Sequence, residues 1–154
     1  MQRPHPPIVV GGKGGPRIAR AIARWADEFN TVGGTPEEVR ERYARVRDAV
    51  DAADRDQAGV TTSLMTWFAV GADEAEVRRR VEFSRSNDPS AGMFEDYLAE
   101  LSHDGIVGTP ERATQRLSEY AAAGVQRIVL NHEPFADLDM LELLATEILP
   151  RVDG

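Results

Sequence analysis

Pro6-Pro7-Ile8-Val9-Val10-Gly11-Gly12-Lys13-Gly14-Gly15-Pro16-Arg17 reads as a strand, a glycine-rich turn and the first turn of a helix. Ile8, Val9 and Val10 form a β-branched run without polar alternation, the pattern of a parallel strand covered on both faces. Pro16 suits a first helical position, where its missing N–H costs nothing, and Ile18, Ile22 and Trp25 recur at i, i+4 and i+7, predicting the buried face of a helix. The amides at such a helix start, reached by a turn without side chains, suit an anion and above all a phosphate. Lys13 stands in the turn as the only lysine of the chain, against seventeen arginines. Two readings of the stretch stay open: Gly12, Lys13, Gly14 and Gly15 hold a phosphate, or the glycines only permit a tight connection and Lys13 is a solvated loop charge.

Two better-known glycine patterns are absent. The dinucleotide fingerprint G-x-G-x-x-G fails because the run from Gly12 reaches Arg17 at its sixth position, and the triphosphate loop fails because Lys13 is followed by Gly14 instead of Ser or Thr.

Strand-then-helix units recur along the chain. Asp27-Glu28-Phe29-Asn30 is a short second strand. Thr35-Pro36-Glu37-Glu38 then carries an N-cap, a first-turn proline and a Thr-x-x-Glu capping box, followed by the stripe Val39, Tyr43, Val46 and Val50. Residues 60–70 form the longest strand candidate, with Trp67 and Phe68 read as core. A charged helix is predicted from Asp73 to Ser84. Residues 84–108 carry no strand signal and are expected to be an insertion between βα units, with one helix bearing Phe94, Tyr97, Leu98 and Leu101. Gly108-Thr109-Pro110-Glu111 repeats the earlier cap chemistry before a helix with Ala113, Leu117, Tyr120 and Ala121 on one side. Residues 126–130 form the next strand, and Asn131-His132-Glu133-Pro134 follows it. A last helix from Asp137 is expected to bury Leu138, Leu141, Leu144, Ala145 and Ile148.

Four strands, each followed by a helix, predict an α/β protein with a parallel sheet, since parallel neighbours need crossover helices. The chain has 154 residues, a net charge of −8 and no cysteine. One domain over 1–154 is expected, and disulfides and thiolate metal sites are excluded. Acidic residues interleave with the arginine clusters at 40–47 and 78–80, as in solvated helix faces, so no nucleic-acid partner is expected. No apolar run is long enough to cross a bilayer and no signal peptide is evident, so no membrane partner and a cytoplasmic location are expected.

Pro7-Ile8-Val9-Val10-Gly11-Gly12 with Gly14, Arg17, Ala21, Ala26-Asp27 and Asn30 resembles the middle of the bacterial luciferase-like flavin and deazaflavin oxidoreductases. Val107-Gly108-Thr109-Pro110-Glu111, the helix to Tyr120, and Ala123-Gly124-Val125-Gln126-Arg127-Ile128-Val129-Leu130 resemble that family's last helix–strand unit. The resemblance implies half of a (β/α)8 TIM barrel, its C-terminal half, with a small open parallel α/β sheet as the alternative. Four strands cannot close a barrel that needs eight, so three solutions are expected: a homodimer of half-barrels, a separate N-terminal half-barrel as partner, or a truncated product of poor stability.

The resemblance further implies an oxidoreductase or monooxygenase acting on a small organic substrate, with reduced coenzyme F420 favoured and FMN as the alternative. Its cofactor-binding residues would be Gly12, Lys13, Gly14 and Gly15. Asn30, Trp67 and His132 are the groups expected at strand C-termini, and His132 is the candidate for a catalytic acid, with an exposed loop histidine as the other reading. A noncatalytic half-barrel serving assembly is the second functional hypothesis.

Overall fold

A computed structural model describes residues 5–133 and 136–152, which fall into two compact units. The first comprises the chain up to Met65 together with Ala121–Val129; the second comprises Thr66–Tyr120 and the chain from Leu130.

In the first unit, β1 (Val9–Gly11) pairs in parallel with β2 (Glu28–Val32), and β2 pairs in parallel with the first half of β3 (Thr61–Val70). Helix α1 (Pro16–Trp25) crosses from β1 to β2, and α2 (Pro36–Asp51) crosses from β2 to β3. Thr35 caps α2: its side chain accepts from the Glu38 amide at 3.3 Å, while the Glu38 carboxylate accepts from the Thr35 amide at 3.0 Å. This is the reciprocal box read from the sequence. Val39, Tyr43, Val46 and Val50 are all buried, and Phe29 meets Tyr43 edge to face with ring centroids 5.8 Å apart.

Helix α1 departs from its expected face. Ala19, Ile22 and Ala23 are buried, whereas Ile18 is exposed and Trp25 is 64 % exposed. Helix α1 packs on α2, and alanines on that face let the two backbones approach. Apolar bulk therefore misidentified the inner face. Arg42 of α2 is buried and donates to the Thr31 hydroxyl and to the carbonyls of Val32 and Gly33, satisfying the backbone where β2 ends.

In the second unit, the latter half of β3 pairs in parallel with β4 (Ile106–Gly108). Helices α3 (Glu74–Asn87) and α4 (Phe94–Asp104) lie between them in sequence. Ala69, Val77, Val81, Tyr97 and Leu101 form one core cluster, with Trp67, Phe94 and Leu98 packed against it.

Strand β4 corrects the expectation that residues 84–108 hold no strand. This stretch contains the end of α3, all of α4 and β4, so five strands are present among the described residues. Three residues between Gly105 and Thr109 are too short to show a period, and only pairing with Phe68–Val70 defines them as a strand.

Helix α5 (Pro110–Ala122) follows β4, and β5 (Arg127–Asn131) pairs with β3. Tyr120 is buried and its hydroxyl donates to the Asp104 carbonyl at 2.8 Å; burial pushes its pKa up to about 12. The terminal helical stretch runs as α6 (Leu138–Leu143), a π-helical turn (Leu144–Ile148) and α7 (Leu149–Val152). It buries Met140 and Ile148, while Leu138 and Leu141 are exposed. The expected stripe already fails within α6, where Met140 and not Leu138 or Leu141 turns inward, and the π turn follows it. Parallel strands alternating with helices in an open sheet agree with the predicted fold class.

Candidate functional site

The turn between β1 and α1 separates its glycines into two kinds. Gly14 has φ +63° and is buried; a Cβ there would lie 3.3 Å from the Arg42 carbonyl oxygen, 3.3 Å from Phe29 Cζ and 3.5 Å from Val46 Cγ2. The fold alone therefore requires glycine at 14. Gly15 has φ −63° and ψ 164°, an extended conformation open to any residue, and a Cβ on it would meet nothing within 4 Å. Gly12 has φ +137°, which favours glycine, yet it too faces open space. A Cβ on Gly11 would approach only the Asn30 carbonyl oxygen, at 3.8 Å. Gly11, Gly12 and Gly15 thus leave a bare backbone surface that protein packing does not fill.

Helix α1 starts at the edge of this surface. Gly15 is its N-cap and supplies no side-chain acceptor, Pro16 occupies the first turn, and no acidic residue is present there. By contrast, Thr35, Asp73 and Asp137 cap α2, α3 and α6 through their side chains. The first-turn amides of Arg17 and Ile18 consequently have neither an intrahelical acceptor nor a capping side chain. Lys13 is exposed within the turn, and Arg17 and Arg20 are exposed on the first turns of α1. A bare backbone, two helix-start amides and nearby cations fit a phosphate ester.

Beside the turn lies a polar row on one face of the strands. Gly11 is the register partner of Asn30, and the Gly12 amide donates to the Asn30 carbonyl at 3.0 Å. Asn30 is thus level with the point where the turn leaves β1, although β2 continues for two further residues. Glu28 and Asn30 alternate with Phe29 and so share the face opposite that ring. Asn30 Nδ2 donates to Ser63 Oγ at 2.8 Å, Ser63 Oγ donates to Glu28 Oε1 at 2.6 Å, and Arg127 Nη1 donates to Glu28 Oε2 at 2.6 Å. Ser63 and Glu28 are buried, whereas the Arg127 side chain is 61 % exposed.

Sequence reading singled out Asn30 but missed Glu28, Ser63 and Arg127. The spacing of Glu28 and Asn30 could have placed both on one strand face. Ser63 and Arg127 came into view only with the strand register, which a single sequence does not display.

The remaining expected groups lie elsewhere. Trp67 is inside β3 instead of at its C-terminal end, because the strand continues to Val70, and it packs against the second unit's core. His132 directly follows β5 and is half-buried; it belongs to the second unit, whereas the glycine turn belongs to the first. His5 is exposed, and His103 is exposed in the last turn of α4. Pro134, the final residue of the stretch containing His132, lies outside the described residues.

Comparison with known proteins adds an independent line. Residues 1–127 match the family model described as luciferase-like monooxygenase. Among solved structures, the coenzyme F420-dependent tetrahydromethanopterin reductase from Methanopyrus kandleri superposes with a TM-score of 0.73 at 15% identity, covering 95% of this chain and 51% of that chain. An F420-dependent secondary alcohol dehydrogenase in complex with an F420–acetone adduct gives 0.74 at 15% identity, covering 95% and 48%. A riboflavin lyase with modified FMN and substrate riboflavin gives 0.72 at 15% identity, covering 96% and 43%. The chain spans about half the length of these proteins.

Proposed function

The chain belongs to the luciferase-like monooxygenase family, and from that premise we propose that it forms the cofactor-phosphate side of an oxidoreductase using reduced coenzyme F420 or FMN, with F420 favoured. The observation carrying this reading is the bare surface of Gly11, Gly12 and Gly15 at an uncapped helix start. Two of the similar structures are F420-dependent enzymes and one is a riboflavin lyase with modified FMN, and both F420 and FMN carry a phosphate ester.

The Arg17 and Ile18 amides bind the phosphate oxygens, Gly12 and Gly15 keep side chains out of the phosphate's way, and Lys13 supplies a compensating charge. When bound, the cofactor supplies hydride transfer or, as a flavin, oxygen chemistry on a small organic substrate. Gly14 serves the turn through packing and conformation. His132 is proposed as the proton donor of the reaction, on the grounds of its place after a barrel-type strand.

Val9 is 55 % and Val32 46 % exposed on the face that carries Glu28 and Asn30, and among the described residues β1 pairs with β2 alone. These features support a partner that covers apolar strand residues, either a second copy of this chain or a separate N-terminal half-barrel. The functional test is equilibrium binding of F420, FMN and riboflavin to the purified chain. Saturable binding of a phosphorylated cofactor, weakened for riboflavin, supports the reading; equal affinity for FMN and riboflavin overturns the phosphate assignment.

A further inference from the structure

Helix α1 carries an apolar stripe on the face turned away from the core. Ile18, Ala21 and Trp25 recur at i, i+3 and i+7, and all three are exposed. Arg17, Arg20 and Arg24 flank the stripe, and the helix holds no acidic residue. None of these arginines bonds a carboxylate among the described residues; Arg24 instead lies over the Trp25 ring, with Cζ 5.6 Å from its centroid.

The last helical stretch, residues 138–152, carries a similar stripe beside charges of the opposite sign. Leu138, Leu141, Ala145 and Leu149 are exposed, although Met140 and Ile148 of the same stretch are fully buried. Asp139 and Glu142 stand next to this stripe, and neither carboxylate bonds a cation among the described residues. Other helix-surface charges do pair within the chain: Arg40 with Glu37, Arg45 with Glu41, Arg79 with Glu76 and Arg85 with Glu82. Two unpaired sets thus remain, one basic and one acidic, each rimming an exposed apolar stripe. Such rimmed stripes mark protein contacts, and opposite charge fixes which surfaces meet. Ala21 and Ala145 lie within the stripes, where small side chains let two helices approach closely. Both faces belong to one chain, so a second copy supplies the complement to each.

We infer that α1 of one copy docks on the 138–152 helical stretch of a second copy, with Ile18 and Trp25 against Leu138, Leu141 and Leu149. Arg20 and Arg24 face Asp139 and Glu142 across this contact. Two different faces meet, so the association is head-to-tail and either closes as a ring or continues into a longer assembly. It uses helix surfaces, apart from the strand face described above, and does not depend on a bound cofactor.

The experiment measures mass in solution by light scattering on the full chain, without cofactor, over a concentration series at low and high salt. The wild type is expected to self-associate, less so at high salt. One variant carries Arg20→Glu with Arg24→Glu, another Asp139→Lys with Glu142→Lys; each sets like charges across the contact and should weaken association about tenfold. Mixing the two variants should restore it, since the reversed α1 of one meets the reversed helix of the other. The chain has no cysteine, so Ala21→Cys and Ala145→Cys each add a single thiol; oxidised with diamide, the mixture should give more disulfide-linked dimer than either variant alone, which reads the contact should a charge variant fail to fold. A monomeric wild type, association unchanged in folded charge variants or not restored on mixing, or equal cross-linking alone and mixed overturns the inference. Each of these outcomes leaves the phosphate reading standing, because cofactor is absent throughout.

Discussion

Replacing Gly14 and Gly15 separately with alanine distinguishes a glycine kept for folding from one kept for binding. At Gly14 the backbone is left-handed, with φ +63°, which costs a residue bearing a Cβ about 1–2 kcal/mol. The added methyl would also press on the Arg42 carbonyl and the Phe29 ring, both at 3.3 Å; over-packing of this kind costs roughly 1–3 kcal/mol. At Gly15 the backbone is extended and the space is open. Alanine there narrows the unfolded ensemble, a gain of about 0.4–1 kcal/mol, against a loss of similar order because alanine is a poor N-cap. These terms nearly cancel. Gly14→Ala should therefore be less stable than Gly15→Ala by about 2–5 kcal/mol, or on the order of 10 °C in melting temperature for a chain of this size. Urea and thermal unfolding followed by circular dichroism read the difference directly. Equal stabilities would refute the assignment of Gly14 to the fold and the claim that the protein leaves Gly15 unconstrained.

Tyr43 is fully buried and its hydroxyl has no hydrogen-bond partner among the described residues; burial pushes its pKa above the usual tyrosine range. Tyr43→Phe removes an uncompensated polar group and should stabilise the chain by up to about 1–3 kcal/mol, observable as a higher urea midpoint. In the second unit, Arg80 is buried and donates to Asp137 at 2.5 and 3.0 Å and to the Val70 carbonyl at 2.7 Å. Asp137→Ala should cost roughly 3 kcal/mol by stranding the guanidinium, with the remaining Glu76 and Val70 contacts limiting the loss. The Arg80 hydrogen bond holds the Asp137 carboxyl below its ordinary pKa. Its stabilising contribution is therefore complete above the unfolded value and declines as pH falls through the lower folded value; urea titrations at pH 7 and pH 3 should show this loss in the wild type and not in Asp137→Ala. Thr35→Ala removes one half of the capping box and should cost about 1 kcal/mol, measured by the same denaturation.

Cap chemistry was the most legible part of the sequence, whereas the run Ile8-Val9-Val10, expected to be covered on both faces, lies at the end of the strand order with Ile8 40 % and Val9 55 % exposed. Thr35, Pro36 and Glu38 act through bonds spanning three residues, and the structure contains that box; Val39, Tyr43, Val46 and Val50 are buried as their spacing predicts. Features set by tertiary packing were less visible. Helix α1 turns alanines inward and leaves Trp25 exposed, a choice made by its approach to α2. Strand β4 is defined by pairing with β3, and the last helix turns Met140 inward in place of the expected Leu138 and Leu141. The candidate site divides in the same way. Its glycine run could be read directly, but the different duties of Gly14 and Gly15 depend on φ and on what a Cβ would touch. Glu28, Ser63 and Arg127 are separated by up to 99 positions and meet only through strand pairing, β2 with β3 and β3 with β5.

The most direct test of the phosphate cradle is the affinity of Gly15→Val for FMN and F420, measured against the wild-type chain with folding checked by circular dichroism. A branched side chain at Gly15 occupies the open space beside the Arg17 and Ile18 amides without forcing a left-handed backbone. The account predicts saturable binding to the wild type and at least a tenfold loss in a variant that remains folded. Undiminished affinity in that variant would contradict it.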